Sequence, residues 1–92
     1  MANLTLPELS GKAVLITGAS TGIGAALAKA FGAQGAMVGV HYNSSEDAAR
    51  AVAESVEAAG GKAHLVRADA SKSGAIAAAV EETAGAFGRL DG

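Results

Sequence analysis

The chain has 92 residues, a formal net charge of −2 and no cysteine, and half of its residues are hydrophobic while only 3% are aromatic. An acidic chain with few aromatic side chains lacks the cationic surface and the stacking platforms that nucleic-acid binding requires. The lack of cysteine excludes disulfides and thiolate zinc sites, and because no long apolar run or signal-peptide pattern occurs, we expect a cytoplasmic protein that does not cross a membrane.

The first predicted unit is a strand followed by a helix. The apolar run Val14–Thr17 predicts a buried strand, and the residues after it are apolar at helical spacing until Gly35, a typical residue just past the end of a helix. The predicted buried stripe of this helix is formed by Ile23, Leu27, Ala30 and Phe31.

Two more strand and helix units follow. Strands are predicted over Met37–His41 and Ala63–Ala68, and the helices after them end at the glycine pair 60–61 and at Gly88. The expected N-caps are Asn43 with Glu46 or Ser44 with Asp47 for the second helix, and Ser71 or Ser73 for the third. The predicted buried stripes are Ala48, Val52, Val56 and Ala59 in the second helix, and Ile76, Val80, Thr83, Ala84 and Phe87 in the third.

This alternation predicts an α/β fold with a parallel sheet and right-handed crossovers, because each helix must return the chain to the edge where the strands begin. Since the apolar residues are mainly small, the helices are expected to pack close to the sheet.

Residues 17–24, TGASTGIG, connect the first predicted strand to the first helix. In an open parallel sheet a ligand binds beyond the carboxyl ends of the strands, where a phosphate can meet a helix N-terminus. Glycine suits this turn because it adopts positive φ, leaves backbone N–H groups accessible and lets the helix approach the strand. The spacing is G-x-x-x-G-x-G, which differs from the usual G-x-G-x-x-G fingerprint. A phosphate site, a serine nucleophile and plain turn glycines all remain open interpretations.

TGASTGIG closely resembles the T-G-x-x-x-G-I-G cofactor motif of the classical short-chain dehydrogenase/reductase family. Four other segments are similar to landmarks of that family in the same order: LSGKAVLITG, HYNSSEDA, RADAS and FGRLDG. The resemblance covers roughly residues 9–92. It implies an NAD(P)-dependent oxidoreductase with a Rossmann-type doubly wound parallel sheet, of which residues 1–92 would be the N-terminal β-α-β-α-β-α part.

The resemblance also implies a set of cofactor-binding residues. Those in the glycine turn would line the diphosphate, those after the second strand would surround the adenosine ribose, and the Asp69 carboxylate would accept from the adenine amino group. The full set is Gly18, Ser20, Thr21, Gly22, Ile23, Gly24, His41, Tyr42, Asn43, Ser44, Asp69 and Ala70. Asp69 could instead cap the third helix, and Ser44 and Ser45 could cap the second.

The end of the second strand bears on the choice between NADP and NAD. A carboxylate there would bind the ribose 2′-OH and repel a 2′-phosphate, but residues 41–45 read HYNSS and the first carboxylate is Glu46. The segment is similar to the NYxSS-like segment of NADP-preferring members, with His41 in place of their Asn. Thr21 stands where many such members carry Arg or Lys. We expect NADP, with NAD as the alternative.

Residues 18–22 also match G-x-S-x-G, the nucleophile elbow of α/β-hydrolases, and Ser20, Asp47 and His64 occur in the hydrolase order. An elbow normally follows several strands, however, whereas this motif follows the first. His64 is predicted in the middle of a strand and Asp47 in the first turn of a helix. We therefore do not expect the three side chains to converge as a triad.

The family's catalytic residues do not occur in these 92 residues. In the family, FGRLDG leads into a fourth strand with N-N-A-G, then a catalytic Ser and a Tyr-x-x-x-Lys pair, and Tyr42 lacks a lysine four residues later. We expect an inactive cofactor-binding part of a homo-oligomeric, NADP(H)-dependent carbonyl reductase or alcohol dehydrogenase that acts on a small molecule. The alternative is a non-catalytic nucleotide-binding module. With the family's strand order 3-2-1-4, the first strand would have one edge unpaired.

Overall fold

The computed structural model describes residues 10–19 and 22–92. The predicted alternation is confirmed, and each strand lies within one residue of its predicted bounds at either end. The elements are β1 (Ala13–Ile16), α1 (Gly22–Ala33), β2 (Met37–Tyr42), α2 (Glu46–Ala58), β3 (Lys62–Arg67) and α3 (Ala75–Phe87). Within the described ranges, none of the helices is long and apolar enough to traverse a lipid bilayer.

The three strands form a parallel sheet in the order β1-β2-β3. Alternate residues of a strand face opposite sides of the sheet. Val38 and Val40 of β2 belong to the core cluster with Ala28 of α1 and Val56 of α2, while a Cβ added to Gly39 would meet Thr83 of α3 at 2.7 Å. Helices α1 and α2 therefore cover one face and α3 covers the other, which confirms the doubly wound arrangement.

Small residues allow the two helices of the first face to approach closely. A Cβ added to Gly32 of α1 would lie 2.8 Å from Cγ1 of Val56 and 3.1 Å from its backbone Cα. Gly61, which leads into β3, is as restricted, because its added Cβ would lie 2.6 Å from the carbonyl oxygen of Ala36. The core is thus built from alanine and valine against bare backbone, as the composition indicates.

The predicted buried stripe of α1 is wrong. The structure buries Ala28 and Gly32, while Ile23 is 81% exposed and Leu27 is 44% exposed. Ala30 is exposed and Phe31 is only half-buried. This helix is apolar on several sides, so its hydrophobic pattern does not specify which face is buried. Close contact with α2 selects the side with the smallest residues.

The stripes of the other two helices are confirmed in part. In α2, Val52 and Val56 are buried as predicted, with Ala49 in place of Ala48. In α3, Thr83 is buried as predicted, but Ala79 replaces Val80, which is 38% exposed. The remaining predicted residues are half-buried (Ile76, Ala84 and Phe87) or exposed (Ala59).

The helix ends were predicted better than the helix starts. Gly35 has φ +84°, and Gly88, the C-cap of α3, has φ +79° and donates to the Ala84 carbonyl. The predicted side-chain N-caps are wrong. The N-cap residues are Ser45 for α2 and Gly74 for α3, and neither helix start has a side-chain cap hydrogen bond.

Residues 91–92 lie along the edge of β1 opposite β2. Leu15 donates its N–H to the Gly92 carbonyl at 2.8 Å, and the N–H groups of Asp91 and Gly92 donate to the Ala13 carbonyl at 2.7 and 3.3 Å. The bonds on Gly92 have the pattern of a parallel bridge opposite Val14. In the family's strand order 3-2-1-4, the fourth strand would pair with β1 on this side.

Candidate functional site

The predicted site residues lie at one edge of the sheet, beyond the carboxyl ends of the strands. Because the strands are parallel, the segments after Ile16, Tyr42 and Arg67 all leave the sheet at this edge. The edge is also where open α/β sheets bind ligands. The glycine turn is one of these segments, and the start of α1 follows it directly.

The glycine turn has a backbone that only glycine accommodates well. Gly18 and Gly22 have φ +63° and +61°, and a Cβ added to either would meet nothing within 4 Å. A Cβ added to Gly24 would lie 2.5 Å from the Gly18 carbonyl oxygen and 3.0 Å from Cα of Ala19. The start of α1 thus rests directly on the turn, and the two open glycines present bare backbone there. Ser20 and Thr21 lie outside the described residues.

The start of α1 favours an anion. The first N–H groups of a helix have no partner within the helix, and the helix dipole places partial positive charge at that end. The first turn of α1 carries no acidic residue. Ile23, in this turn, is 81% exposed and leaves the surface beside the turn apolar. Electrostatics and open backbone here suit a phosphate-bearing ligand.

His41 links the glycine turn to the end of β3. The residue is only 4% exposed. Nδ1 accepts from the Gly18 N–H at 2.9 Å, and Nε2 lies 2.8 Å from the Ala68 carbonyl oxygen. The His41 carbonyl also accepts from the Ala19 N–H at 2.9 Å. The sequence placed His41 near a ribose pocket, whereas the structure directs its ring into the protein.

The residues after His41 differ in their exposure. Tyr42 is 8% exposed and packs in the core, and its carbonyl accepts from the Ala68 N–H at 3.0 Å. Asn43 and Ser44 are exposed. Ser45 is the N-cap residue of α2 but makes no side-chain cap bond, so the structure does not use these serine hydroxyls as caps. Residues 41–45 place no carboxylate at the end of β2.

Asp69 directly follows the end of β3 and has one oxygen engaged. Its Oδ1 accepts from the Ser71 N–H at 3.0 Å and from the Ser71 hydroxyl at 2.6 Å, and these bonds lower the pKa of the carboxyl. Since α3 starts at Ala75 with Gly74 as its N-cap, Asp69 does not cap that helix. Within the described residues Oδ2 has no hydrogen bond, so it can accept one from a ligand. Ala70, next to it, is exposed.

A cavity of about 370 Å³ opens beside Asp69, and two cationic residues of its lining were not singled out from the sequence. Arg67 is held by a bond of 3.2 Å from its Nε to the Asn43 carbonyl. The second cationic residue is Lys72. In the sequence RADASK, Arg67 stands two residues before Asp69 and Lys72 three residues after it, and this proximity could have identified both. The lining residues are Asn43, Arg67, Ala68, Asp69 and Lys72.

A larger cavity, of about 410 Å³, lies between α2 and the first half of β3, away from the strand ends. Its charged residues form a solvent-exposed face, in which Arg50 pairs with Glu46 one helical turn earlier. Because this cavity lies away from the carboxyl ends of the strands, it is not part of the candidate site.

The hydrolase interpretation has no geometric support in the described residues. His64 lies mid-strand opposite Gly39, and its Nε2 is 2.9 Å from Oε2 of Glu82, with its ring edge-to-face against Phe87. Asp47 lies in the first turn of α2 and is exposed. Residues 10–19 and 22–92 also contain no group of three or more His, Cys, Asp or Glu that could hold a metal.

Comparison with known proteins gives one family. A family model described as short chain dehydrogenase matches residues 12–92. An uncharacterized oxidoreductase of Methylorubrum extorquens is 50% identical over 86 residues, which are 94% of this chain and 35% of that protein. The 3beta-hydroxysteroid dehydrogenase 1 of Eggerthella lenta is 43% identical over 84 residues, 91% of this chain and 32% of that protein. The chain spans about a third of the length of these relatives.

Solved structures share the fold. A putative dehydrogenase from Burkholderia cenocepacia with bound NADP has a TM-score of 0.85 and 34% identity, covering 90% of this chain and 32% of that one. The angucycline C-6 ketoreductase LanV with bound NADP has a TM-score of 0.74 and 48% identity, covering 79% and 28%. The NADH-dependent reductase A1-R′ responsible for alginate metabolism has a TM-score of 0.85 and 30% identity, covering 94% and 35%. These similarities confirm the Rossmann-type fold. Two of the three proteins are described with bound NADP and one is described as NADH-dependent.

Proposed function

We propose, since the chain belongs to the short-chain dehydrogenase family, that residues 1–92 are the N-terminal, cofactor-binding part of an NADP(H)-dependent oxidoreductase. The observation that supports this most is the glycine turn. Gly18 and Gly22 have positive φ and open surroundings, and Gly24 admits the start of α1 against the turn. Gly24 lies outside the G-x-S-x-G pattern, so a serine nucleophile would not require its contact with Gly18, and plain turn glycines would not require it either.

Each part of the site would hold one part of the dinucleotide. The backbone at Gly18 and Gly22, with the start of α1, would take the diphosphate. Oδ2 of Asp69 would accept from the adenine amino group. Asn43 and Ser44, both exposed, would lie near the ribose. When bound, the dinucleotide would donate the hydride in carbonyl reduction or accept it in alcohol oxidation, and these residues would only bind and orient it.

NADP is preferred over NAD in this proposal because residues 41–45 contain no carboxylate. A carboxylate at the end of β2 would bind the ribose 2′-OH and repel a 2′-phosphate. The family alone does not decide the cofactor, since one solved relative is described as NADH-dependent.

The proposed reaction is reduction of a small-molecule carbonyl or oxidation of the corresponding alcohol. No residue of this chain is assigned to catalysis, so the chain alone would be inactive. The complete enzyme is proposed to be cytoplasmic and homo-oligomeric. The second candidate, a non-catalytic nucleotide-binding module, is favoured only by the lack of N-N-A-G and Tyr-x-x-x-Lys in these residues. A reading frame that continues into both motifs would exclude that candidate.

The test is a titration of the intact polypeptide containing this chain with NADPH and with NADH, in which fluorescence reports the bound dinucleotide and gives the Kd. We expect Gly22→Val to weaken NADPH binding at least about tenfold, because a branched side chain at φ +61° both strains the turn and covers its backbone. The control is Gly88→Val, at φ +79° with nothing within 4 Å of its Cβ, which shares the strain but lies at the end of α3. Equal loss of affinity in both variants, or none in either, would contradict the proposal; NADH binding as tight as NADPH would refute the preference.

A further inference from the structure

The His41 ring uses both of its nitrogens within the protein. The residues it contacts are distant in sequence, since Gly18 is 23 residues before it and Ala68 is 27 residues after it. One contact belongs to the glycine turn, and the other directly precedes Asp69. Because His41 is only 4% exposed and both ring nitrogens have partners, no polar atom of this side chain remains to contact a ligand.

The hydrogen bonds of the ring select its tautomer. A backbone N–H can only donate, so Nδ1, which lies 2.9 Å from the Gly18 nitrogen, must be the unprotonated acceptor. Nε2 therefore carries the proton in the neutral ring and donates it to the Ala68 carbonyl at 2.8 Å. A histidine hydrogen-bonded at one nitrogen has its other nitrogen oriented and its tautomer selected. The bond to Ala68 thus prepares Nδ1 to accept from Gly18.

We propose that His41 is a positioning residue of the dinucleotide site, which holds the diphosphate-binding turn in place through the Gly18 N–H. This inference rests on the proposed function. The ring holds the turn at Gly18, which lies two residues after the end of β1 and has positive φ. The neighbouring bond from the Ala19 N–H to the His41 carbonyl does not depend on the side chain, so a change of side chain isolates the contribution of the ring.

Asparagine and glutamine at position 41 can each retain one of the two hydrogen bonds of the ring and remove the other. Oδ1 of asparagine has the same connection to Cγ as Nδ1 of histidine, so His41→Asn retains an acceptor for Gly18 and loses the reach to Ala68. The amide nitrogen of glutamine corresponds to Nε2, so His41→Gln retains a donor for Ala68 and removes the acceptor at the δ position. His41→Leu removes both.

We expect His41→Gln and His41→Leu to raise the Kd for NADPH about tenfold, and His41→Asn to raise it less than about threefold, because only Asn keeps the turn anchored. Thermal unfolding of the three variants gives the control. A role in stability alone would make affinity follow the melting temperature, whereas the positioning role predicts separation of Asn from Gln even at equal melting temperature. Should the leucine variant fail to fold, the comparison of Asn with Gln still decides.

A second measurement needs no cofactor. Nitrogen-15 NMR of the wild-type protein is expected to show a protonated Nε2 and an unprotonated Nδ1, with the Gly18 amide exchanging slowly in the wild type and in His41→Asn and faster in the other two variants. A protonated Nδ1 in the neutral ring, or equal NADPH affinity in all variants, would overturn this inference alone. Failure of the wild-type protein to bind NADPH and NADH would overturn the proposed function, and this inference with it.

Discussion

Replacement of Gly24 by alanine tests whether the contact between α1 and the glycine turn shapes the site. The added Cβ would lie 2.5 Å from the Gly18 carbonyl oxygen, a backbone atom that cannot rotate away, and ordinary contact begins near 3.4 Å. Either the helix or the turn must therefore move by most of an ångström. Overpacking of this kind destabilises proteins by about 1–3 kcal/mol. Because the start of α1 and the turn together form the proposed diphosphate site, movement of either should also lower the affinity for NADPH.

Gly85→Ala is the matched control for this substitution. Gly85 also lies within a helix, is exposed, and has nothing within 4 Å of an added Cβ. Alanine favours the helix at both positions by about 0.5–1 kcal/mol, so the difference between the variants isolates the contact. Urea unfolding and NADPH titration of both variants give the two quantities. If Gly24→Ala were as stable as Gly85→Ala and bound NADPH equally well, the turn would not depend on this close approach.

Two further predictions concern charge. Asp91 accepts from Arg89 through both oxygens at 2.8 Å and from the Ala13 N–H at 2.9 Å, and these bonds lower its pKa to about 2. The contribution of the Asp91 carboxylate to stability should be complete above the unfolded pKa of about 3.9 and be lost as the pH falls towards 2. The urea concentration at the unfolding midpoint should therefore fall more between pH 5 and 2 in the wild type than in Asp91→Asn. Parallel curves for the two proteins would contradict this. Asn43→Asp, a change of nearly equal size at an exposed position, should weaken NADPH binding about tenfold, because the new carboxylate repels a 2′-phosphate. NADH should bind at least as tightly as before, because the carboxylate can accept from the ribose 2′-OH. The loss should shrink at 1 M salt, and an equal loss for both dinucleotides would count against a phosphate near this residue.

The sequence was sufficient to predict the strands and the location of the turn, because these depend on local signals, whereas the order of the strands in the sheet followed from the family resemblance. Short apolar runs predict strands, and glycines mark places where φ must be positive, as at Gly35 and Gly88. The alternation of the elements then leaves a parallel sheet as the simplest arrangement.

The orientation of side chains could not be predicted in the same way. In α1, apolar residues occur on several sides, so only contact with α2 reveals that Ala28 and Gly32 face inward while Ile23 faces out. The bonds of His41 join segments 23 and 27 residues apart, and they depend on the register of three strands. The use of Ser71 as a partner of Asp69, rather than as a helix cap, likewise depends on the local path of one loop.

The end of β2 organises the site because both neighbouring loops are attached to it. The Ala19 N–H donates to the His41 carbonyl at 2.9 Å, and the Ala68 N–H donates to the Tyr42 carbonyl at 3.0 Å. β2 is the central strand, and Val38 and Val40 within it are completely buried. A central strand in a well-packed core is among the last parts of a domain to open. The exposed loops that would touch a dinucleotide are thus attached to the buried central strand of the sheet, and the His41 ring extends that attachment from the strand to the turn.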